Sequence, residues 1–271
     1  MYKRQEFLLY YQPIVRVATS EIIGAEALIR WKAPGATNAG IMYPHDFMPL
    51  LEKSGLAVPV GRWVLEEACR QVVTWARQFP DNDALFITCN LGPRQMAQAD
   101  FRDSVFATIE ATGVQPWQLC LDITEAALQY NRNATWTALR ELKDAGVKLG
   151  LDDFGTGVSS LSYLRELRVD IVRADRSFVS GVEHSNEDRA IIRHIVGLAH
   201  DLDLIAIAEG VENQEQATIL AELGVDLAQG FHYGRPEPAW DLADKIRPAG
   251  APPPEDEWAT ERVFDYEPPS E

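Results

Sequence analysis

Short runs rich in valine, isoleucine and leucine alternate along this chain with longer segments whose apolar residues recur every three or four positions. This alternation is typical of βα units that surround a parallel sheet. The predicted strands cover 7–15, 22–31, 85–91, 119–124, 147–153, 171–175, 204–209 and 226–233. The predicted helices cover 61–79, 103–112, 135–145, 187–201 and 214–223. Eight strands in about 235 residues favour a closed barrel over an open sheet.

The connection between the first two strands is short. Residues 16–21 are too few for a crossover helix, so this pair is predicted to be an antiparallel hairpin. The predicted fold class is therefore α/β, a modified TIM (β/α)8 barrel with an antiparallel first strand pair. We expect residues 1–247 to form the barrel domain and residues 248–271, acidic and rich in proline, to form a flexible tail.

The charge balance restricts the partners of the chain. Its 271 residues include 25 Lys and Arg against 41 Asp and Glu, a formal net charge of −16. A field of this sign repels DNA phosphates and anionic lipid headgroups, so binding to DNA or to a membrane surface is not expected. No apolar run reaches the roughly 18 residues that a membrane-spanning helix needs, so no membrane insertion is expected. The three cysteines lack the spacing of a disulfide framework, which fits a cytoplasmic protein.

Polar side chains stand where the predicted strands end. The carboxyl ends of barrel strands meet at one mouth, where the catalytic groups of this fold gather. Six oxygen donors occupy such positions: Glu26, Asn90, Asp122, Asp152, Asp153 and Glu209. One acidic residue there would simply mark a polar loop, but crowded carboxylates stay ionised together only when a cation compensates them. Oxygen ligands suit Mg²⁺ or Mn²⁺, and adjacent Asp152 and Asp153 could serve two ions about 3.5–4 Å apart, a spacing used in phosphoryl chemistry.

Seven motifs in a fixed order resemble those of the EAL domain family. They are YQPIV at 11–15, EALIRW at 26–31, NLG at 90–92, DITE at 122–125, DDFGTGVSSL at 152–161, AEGVE at 208–212 and QGF at 229–231. The resemblance covers about residues 7–238. It implies a modified TIM barrel that hydrolyses the bacterial second messenger cyclic di-GMP to linear pGpG with two Mg²⁺ or Mn²⁺ ions. It also implies a homodimer, and upstream sensor domains if the chain is one domain of a longer protein.

The resemblance further implies roles for individual residues. The implied metal ligands are Glu26, Asn90, Asp122, Asp152, Asp153 and Glu209. The implied catalytic residues are Glu26, Glu125, Arg173, Glu209 and Gln229. Among them, Gln229 matches a residue that helps to hold a water at the metals, and Glu125 matches one that braces the loop after the fifth strand. The implied contacts to cyclic di-GMP are Gln12, Leu28 and Arg30.

Two of these residues depart from the family pattern. Asp122 stands where the family has Glu, and Arg173 stands where it has a Lys next to the attacking water. Arginine keeps the positive charge, but it does not give up a proton and its planar fork fills more space than an ammonium. If the family lysine is a general base, Arg173 abolishes turnover; if it only orients the nucleophile, a slower activity persists. The chain is therefore interpreted as a phosphodiesterase slowed by these residues, with a catalytically impaired cyclic di-GMP receptor as the alternative.

Overall fold

The chain folds around a closed barrel of eight strands. The structure, a computed structural model, describes residues 6–32, 40–82, 84–128, 132–155, 164 and 166–246. The strands are β1 Phe7–Arg16, β2 Ile22–Lys32, β3 Ile41–Met42, β4 Phe86–Asn90, β5 Leu119–Thr124, β6 Lys148–Phe154, β7 Ile171–Ala174, β8 Ile205–Ala208 and β9 Leu227–Ala228. Their order is β1-β9-β8-β7-β6-β5-β4-β2, and β1 pairs back with β2 to close the barrel. The predicted barrel and its eight strands are confirmed, and β3 is a short addition at the edge of β2.

The first strand runs against its neighbours. β1 pairs antiparallel with β2, from Phe7 opposite Trp31 to Ile14 opposite Gly24, and it also pairs antiparallel with β9. The predicted hairpin is therefore confirmed. From β2 onward, the neighbouring barrel strands β4 to β9 are parallel, so their carboxyl ends lie at one mouth.

Helices surround the barrel. They are α1 Pro44–Ser54, α2 Ala57–Gln78, α3 Pro93–Met96, α4 Phe101–Thr112, α5 Glu125–Leu128, α6 Arg132–Asp144, α7 Arg176–Val179, α8 Asn186–Asp201, α9 Gln214–Glu222 and α10 Ala239–Ile246. The five predicted helices correspond to α2, α4, α6, α8 and α9. Sequence periodicity missed α1, which has a proline at its first position and a second one, Pro49, inside. None of the helices in the described part of the chain combines the length and the apolar character that a membrane span requires.

The core has an inner and an outer layer. The inner cluster fills the barrel below the mouth with Ile14, Ile23, Phe86, Cys120, Ile171, Ile207 and Leu227. Because side chains of a strand alternate between its two faces, residues two positions beyond these apolar ones also face the interior. Thr88 thus follows Phe86, Asp122 follows Cys120, and Arg173 follows Ile171. The intervening Cys89 belongs to the outer layer between strands and helices.

The last strand is shorter than predicted. The sequence indicates a strand over 226–233, but β9 ends at Ala228. After it, Tyr233 N–H donates to the Gly230 carbonyl, which closes a turn. Gly230 passes so close to Val211 that any Cβ at this position would overlap the backbone of Val211. The chain therefore leaves the sheet early and carries Gln229 over the mouth.

Candidate active site

The mouth collects side chains from six barrel strands. Glu26 comes from β2, Asn90 from β4, Asp122 from β5, Asp152 from β6 and Arg173 from β7, while Glu209 directly follows β8. Register explains the convergence, because Asn90 lies opposite Asp122 and Thr124 lies opposite Asp152 in the parallel pairs. Asp175 is also at a strand end, but its carboxylate accepts a hydrogen bond from the Ser177 N–H and caps α7.

Amide side chains hold Glu26 from two sides. Asn90 Nδ2 donates to Glu26 Oε1 at 2.6 Å, and Gln229 Nε2 donates to Glu26 Oε2 at 2.5 Å. Gln229 Nε2 also donates to Gln12 Oε1 at 3.0 Å, and Gln12 Nε2 donates to the Gly234 carbonyl at 3.0 Å. Four residues that the sequence singled out are therefore joined in one network.

Arg173 lies at the centre of the mouth, with its side chain only 1% exposed. Its Nη2 is 2.8 Å from Asp122 Oδ2 and donates to Thr88 Oγ1 at 3.2 Å. Its Nη1 forms an ion pair with Glu209 Oε1 and donates to Gln229 Oε1 at 3.3 Å. Within the described part of the chain, Nε has no hydrogen-bond partner. One guanidinium thus connects two of the six predicted metal ligands.

Asp122 sits deep below the mouth. Its Oδ2 accepts from the Thr88 hydroxyl, and its Oδ1 lies 3.6 Å from the Cys120 thiol. Room for Oδ1 exists because residue 150 is glycine, since a Cβ there would overlap this oxygen. The sequence interpretation missed both Thr88 and Gly150. The two-residue strand period counted back from Asn90 and Asp152 is the signal that could have found them.

Burial and crowding govern the ionisation of this site. Burial raises the pKa of Glu209 to about 8, although the Arg173 guanidinium acts in the opposite direction. Burial likewise raises the pKa of Asp152 to about 6, with Arg173 again opposing and Asp122 and Asp153 adding to the rise. For Arg173, burial alone would lower the pKa, but four surrounding carboxylates raise it well above its usual value. The guanidinium is therefore cationic, and when all four carboxylates are ionised it balances only one of their charges.

The remaining donors suit a divalent cation. Glu26 within β2, Asn90 at the end of β4 and Asp152 near the end of β6 offer hard oxygens, the ligand type that Mg²⁺ and Mn²⁺ prefer. Asp153 follows Asp152 on the exposed rim with a left-handed backbone, φ 57°, a strained state that clusters at functional sites. In the described residues, no three His, Cys, Asp or Glu side chains are already gathered as a metal-binding group. Arg173 explains part of this, because it engages Asp122 and Glu209.

The predicted nucleotide contacts lie on the β1–β2 side of the mouth. Arg30 is buried, its Nη1 donates to the Ile29 carbonyl at 3.0 Å, and its guanidinium lies over two rings, 5.4 Å from Tyr10 and 4.9 Å from Tyr43. Leu28 is half-buried opposite Tyr10 in the hairpin. Tyr43 is 53% exposed and was missed by the sequence interpretation. The side chain of Glu125, at the start of α5, lies outside the described residues, as do 156–163 and the predicted tail 248–271.

The chain is similar to known proteins over most of its length. The EAL domain family model matches residues 1–236. The bifunctional diguanylate cyclase/cyclic di-GMP phosphodiesterase MucR of Pseudomonas aeruginosa is 40% identical over 244 residues, which are 90% of this chain and 35% of that protein. The cyclic di-GMP phosphodiesterase NbdA of the same organism is 36% identical over 239 residues, 88% of this chain and 30% of that protein. The chain thus spans about a third of the length of these relatives.

Solved structures share the barrel. The MucR phosphodiesterase in complex with cyclic di-GMP superposes with a TM-score of 0.82 at 39% identity, covering 89% of this chain and 96% of that one. The EAL enzyme Bd1971 with cAMP and cyclic di-GMP bound gives a TM-score of 0.85 at 30% identity, covering 91% of this chain and 66% of that one.

Proposed function

This chain belongs to the EAL domain family, and on that premise we propose that it hydrolyses cyclic di-GMP to linear pGpG with the help of Mg²⁺ or Mn²⁺. One observation carries the proposal: Glu26, Asn90, Asp152 and Glu209 converge on one barrel mouth around a single guanidinium. Together with Asp122, four carboxylates act on this one fixed cation, and such a site attracts divalent metal and, through it, a phosphodiester. The relatives named as cyclic di-GMP phosphodiesterases support the choice of substrate.

The proposed reaction is an in-line displacement at phosphorus. The oxygen of a water forms a new bond to phosphorus, the bond from phosphorus to a ribose 3′ oxygen breaks, and that oxygen takes up a proton. Divalent metal held by Glu26, Asn90 and Asp152, with Asp153 next to them on the rim, would supply charge neutralisation at the phosphate and activation of the water.

The protein's own residues do the positioning. Asn90 and Gln229 hold both oxygens of Glu26, so this carboxylate is already oriented when the metal binds. Arg173 fixes Glu209 and Gln229 and supplies a permanent positive charge beside the phosphate. Arg30, whose guanidinium contacts two tyrosine rings, can donate its remaining N–H groups to a phosphate oxygen.

Chromatography of cyclic di-GMP incubated with the protein and Mn²⁺ tests the proposal. We expect pGpG from the wild type, no product after removal of Mn²⁺ with EDTA, and no product from Asp152→Ala. The matched control is Asp100→Ala, which removes an exposed carboxylate at the start of α4. Asp100 forms an ion pair with Arg62. Equal product from Asp152→Ala and the wild type would contradict the proposed site.

A receptor is the second candidate, and the ion pairs of Arg173 with Asp122 and Glu209 favour it. A receptor binds cyclic di-GMP and leaves it intact. Calorimetric binding without product from the wild type, together with product from Arg173→Lys, would establish this alternative. We extend the proposal to control by sensor domains, since the chain spans about a third of its relatives. The family resemblance adds a cytoplasmic homodimer to the proposal, and light scattering tests the dimer.

A further inference from the structure

The number of cations that the mouth can hold depends on which of its carboxylates are already paired. The family resemblance implies two divalent ions shared among six ligands. In this chain, the Arg173 guanidinium already lies between two of those ligands, with Nη2 2.8 Å from Asp122 Oδ2 and Nη1 paired with Glu209 Oε1. A positive group thus occupies the space between Asp122 and Glu209.

Both oxygens of Asp122 are committed below the mouth. Oδ2 accepts hydrogen bonds from Thr88 and pairs with Arg173, while Oδ1 packs against the backbone of Gly150 beside the Cys120 thiol. Asp122 is 2% exposed. An ion at the mouth could recruit this carboxylate only by breaking the pair with Arg173.

The two departures from the family pattern compensate each other in length. A carboxylate one methylene shorter at 122 faces a longer, forked cation at 173, and the two meet at hydrogen-bond distance. A lysine ammonium is a compact charge that can share the space with a metal ion, whereas the guanidinium spreads five donors over a rigid plane. Arginine in place of lysine at position 173 therefore replaces a flexible cation with one that fills the gap between Asp122 and Glu209.

Glu26, Asn90 and Asp152 lie outside this ion-paired group. Glu26 is held by the Asn90 and Gln229 amides, and Asp152 Oδ1 accepts from the N–H of Asp153 at 2.9 Å. We propose that Arg173 takes the place of one of the two cations, so that the mouth binds a single divalent ion at Glu26, Asn90 and Asp152. The inference rests on the proposed function only in treating the mouth as a metal site.

Mn²⁺ titration followed by electron paramagnetic resonance tests the inference without substrate. Two Mn²⁺ ions about 3.5–4 Å apart, the spacing of two-metal sites, are spin-coupled and lose the isolated six-line spectrum. We expect one Mn²⁺ per chain and an uncoupled spectrum for the wild type. The double variant Asp122→Glu with Arg173→Lys, which restores the family pair, should bind two ions with a coupled spectrum.

The matched control makes the same exchange in an exposed pair. Arg62 and Asp100 lie 2.5 Å apart on the surface, and Arg62→Lys with Asp100→Glu should leave the stoichiometry at one. If the larger side chain at position 122 does not fit against Gly150, the single variant Arg173→Lys tests the inference, because it frees Glu209 from its ion pair with the guanidinium. Circular dichroism verifies that each variant is folded.

Two ions with a coupled spectrum in the wild type would overturn the inference, as would no bound ion. A single ion in both Arg173 variants would show that Arg173 does not set the number. Chromatography of cyclic di-GMP separates this result from the proposed function. One bound ion without pGpG would support the inference and contradict the proposed activity. Two bound ions with pGpG would support the activity and contradict the inference.

Discussion

Replacing Arg173 with methionine should destabilise the metal-free protein by about 3–5 kcal/mol. Methionine keeps much of the side-chain length and removes the charge and all donors. Asp122, whose side chain is 1% exposed, would then be a buried carboxylate without its cation. Removing one partner of a buried ion pair costs about 3–5 kcal/mol, because the remaining charge stays uncompensated in a poorly solvated place. The share of Glu209 in the cost is smaller, because its side chain is 24% exposed and burial already raises its pKa to about 8, so that it can take up a proton near neutral pH.

Urea unfolding in EDTA, monitored by circular dichroism, measures this loss of stability. The matched control is Arg62→Met, which removes the arginine of an exposed pair with Asp100 and should cost less than about 1 kcal/mol. An Arg173→Met variant as stable as Arg62→Met would refute the reasoning, because the guanidinium would then not compensate Asp122. An unchanged urea m-value in both variants ensures that the comparison is between native states of similar compactness.

Three further predictions concern packing, pH and ligand binding. Gly150→Ala should lower the free energy of unfolding by about 1–3 kcal/mol, since the added methyl overlaps Asp122 Oδ1. Thermal unfolding measures this loss, and a variant as stable as the wild type would contradict that packing. The metal-free protein should lose stability as pH rises from about 4.5 to about 8, because the pKa of Glu209 is raised to about 8 in the fold and the native state therefore binds more protons than the unfolded chain. Glu209→Gln should flatten this slope in urea titrations, and an equal slope would exclude Glu209 as its source. Arg30→Ala should weaken cyclic di-GMP binding about tenfold or more in calorimetry, as a hydrogen bond to a charged group is worth about 1.5–3 kcal/mol, while Mn²⁺ uptake stays unchanged.

The barrel could be predicted because its signals are local. Each strand is a run of apolar residues, and the short 16–21 connection fixes the antiparallel pair. Strand ends that meet at one mouth then place Glu26, Asn90 and Asp152 together without any knowledge of side-chain conformation. The weakest strand prediction was β9, because Gly230 ends it through close contact with Val211, which lies elsewhere in the chain.

The partners of the central arginine could not be predicted from the sequence. Arg173 pairs with a carboxylate 51 positions away, and the depth of that carboxylate depends on the absence of a side chain at Gly150 and on the hydroxyl of Thr88. The sequence interpretation treated Asp122 and Arg173 as two separate departures from a pattern. Only their distance shows that they form one ion pair.

The most direct test of the proposed activity is a single-turnover time course with the protein in excess over cyclic di-GMP and Mn²⁺ present. Under these conditions even a slow site converts every bound molecule, so the rate penalty of Arg173 does not hide the reaction. Our account predicts complete conversion to pGpG in the wild type and intact dinucleotide with Asp152→Ala. Cyclic di-GMP that is bound by the wild type in calorimetry, yet still intact when the time course ends, would contradict hydrolysis as the function of this mouth.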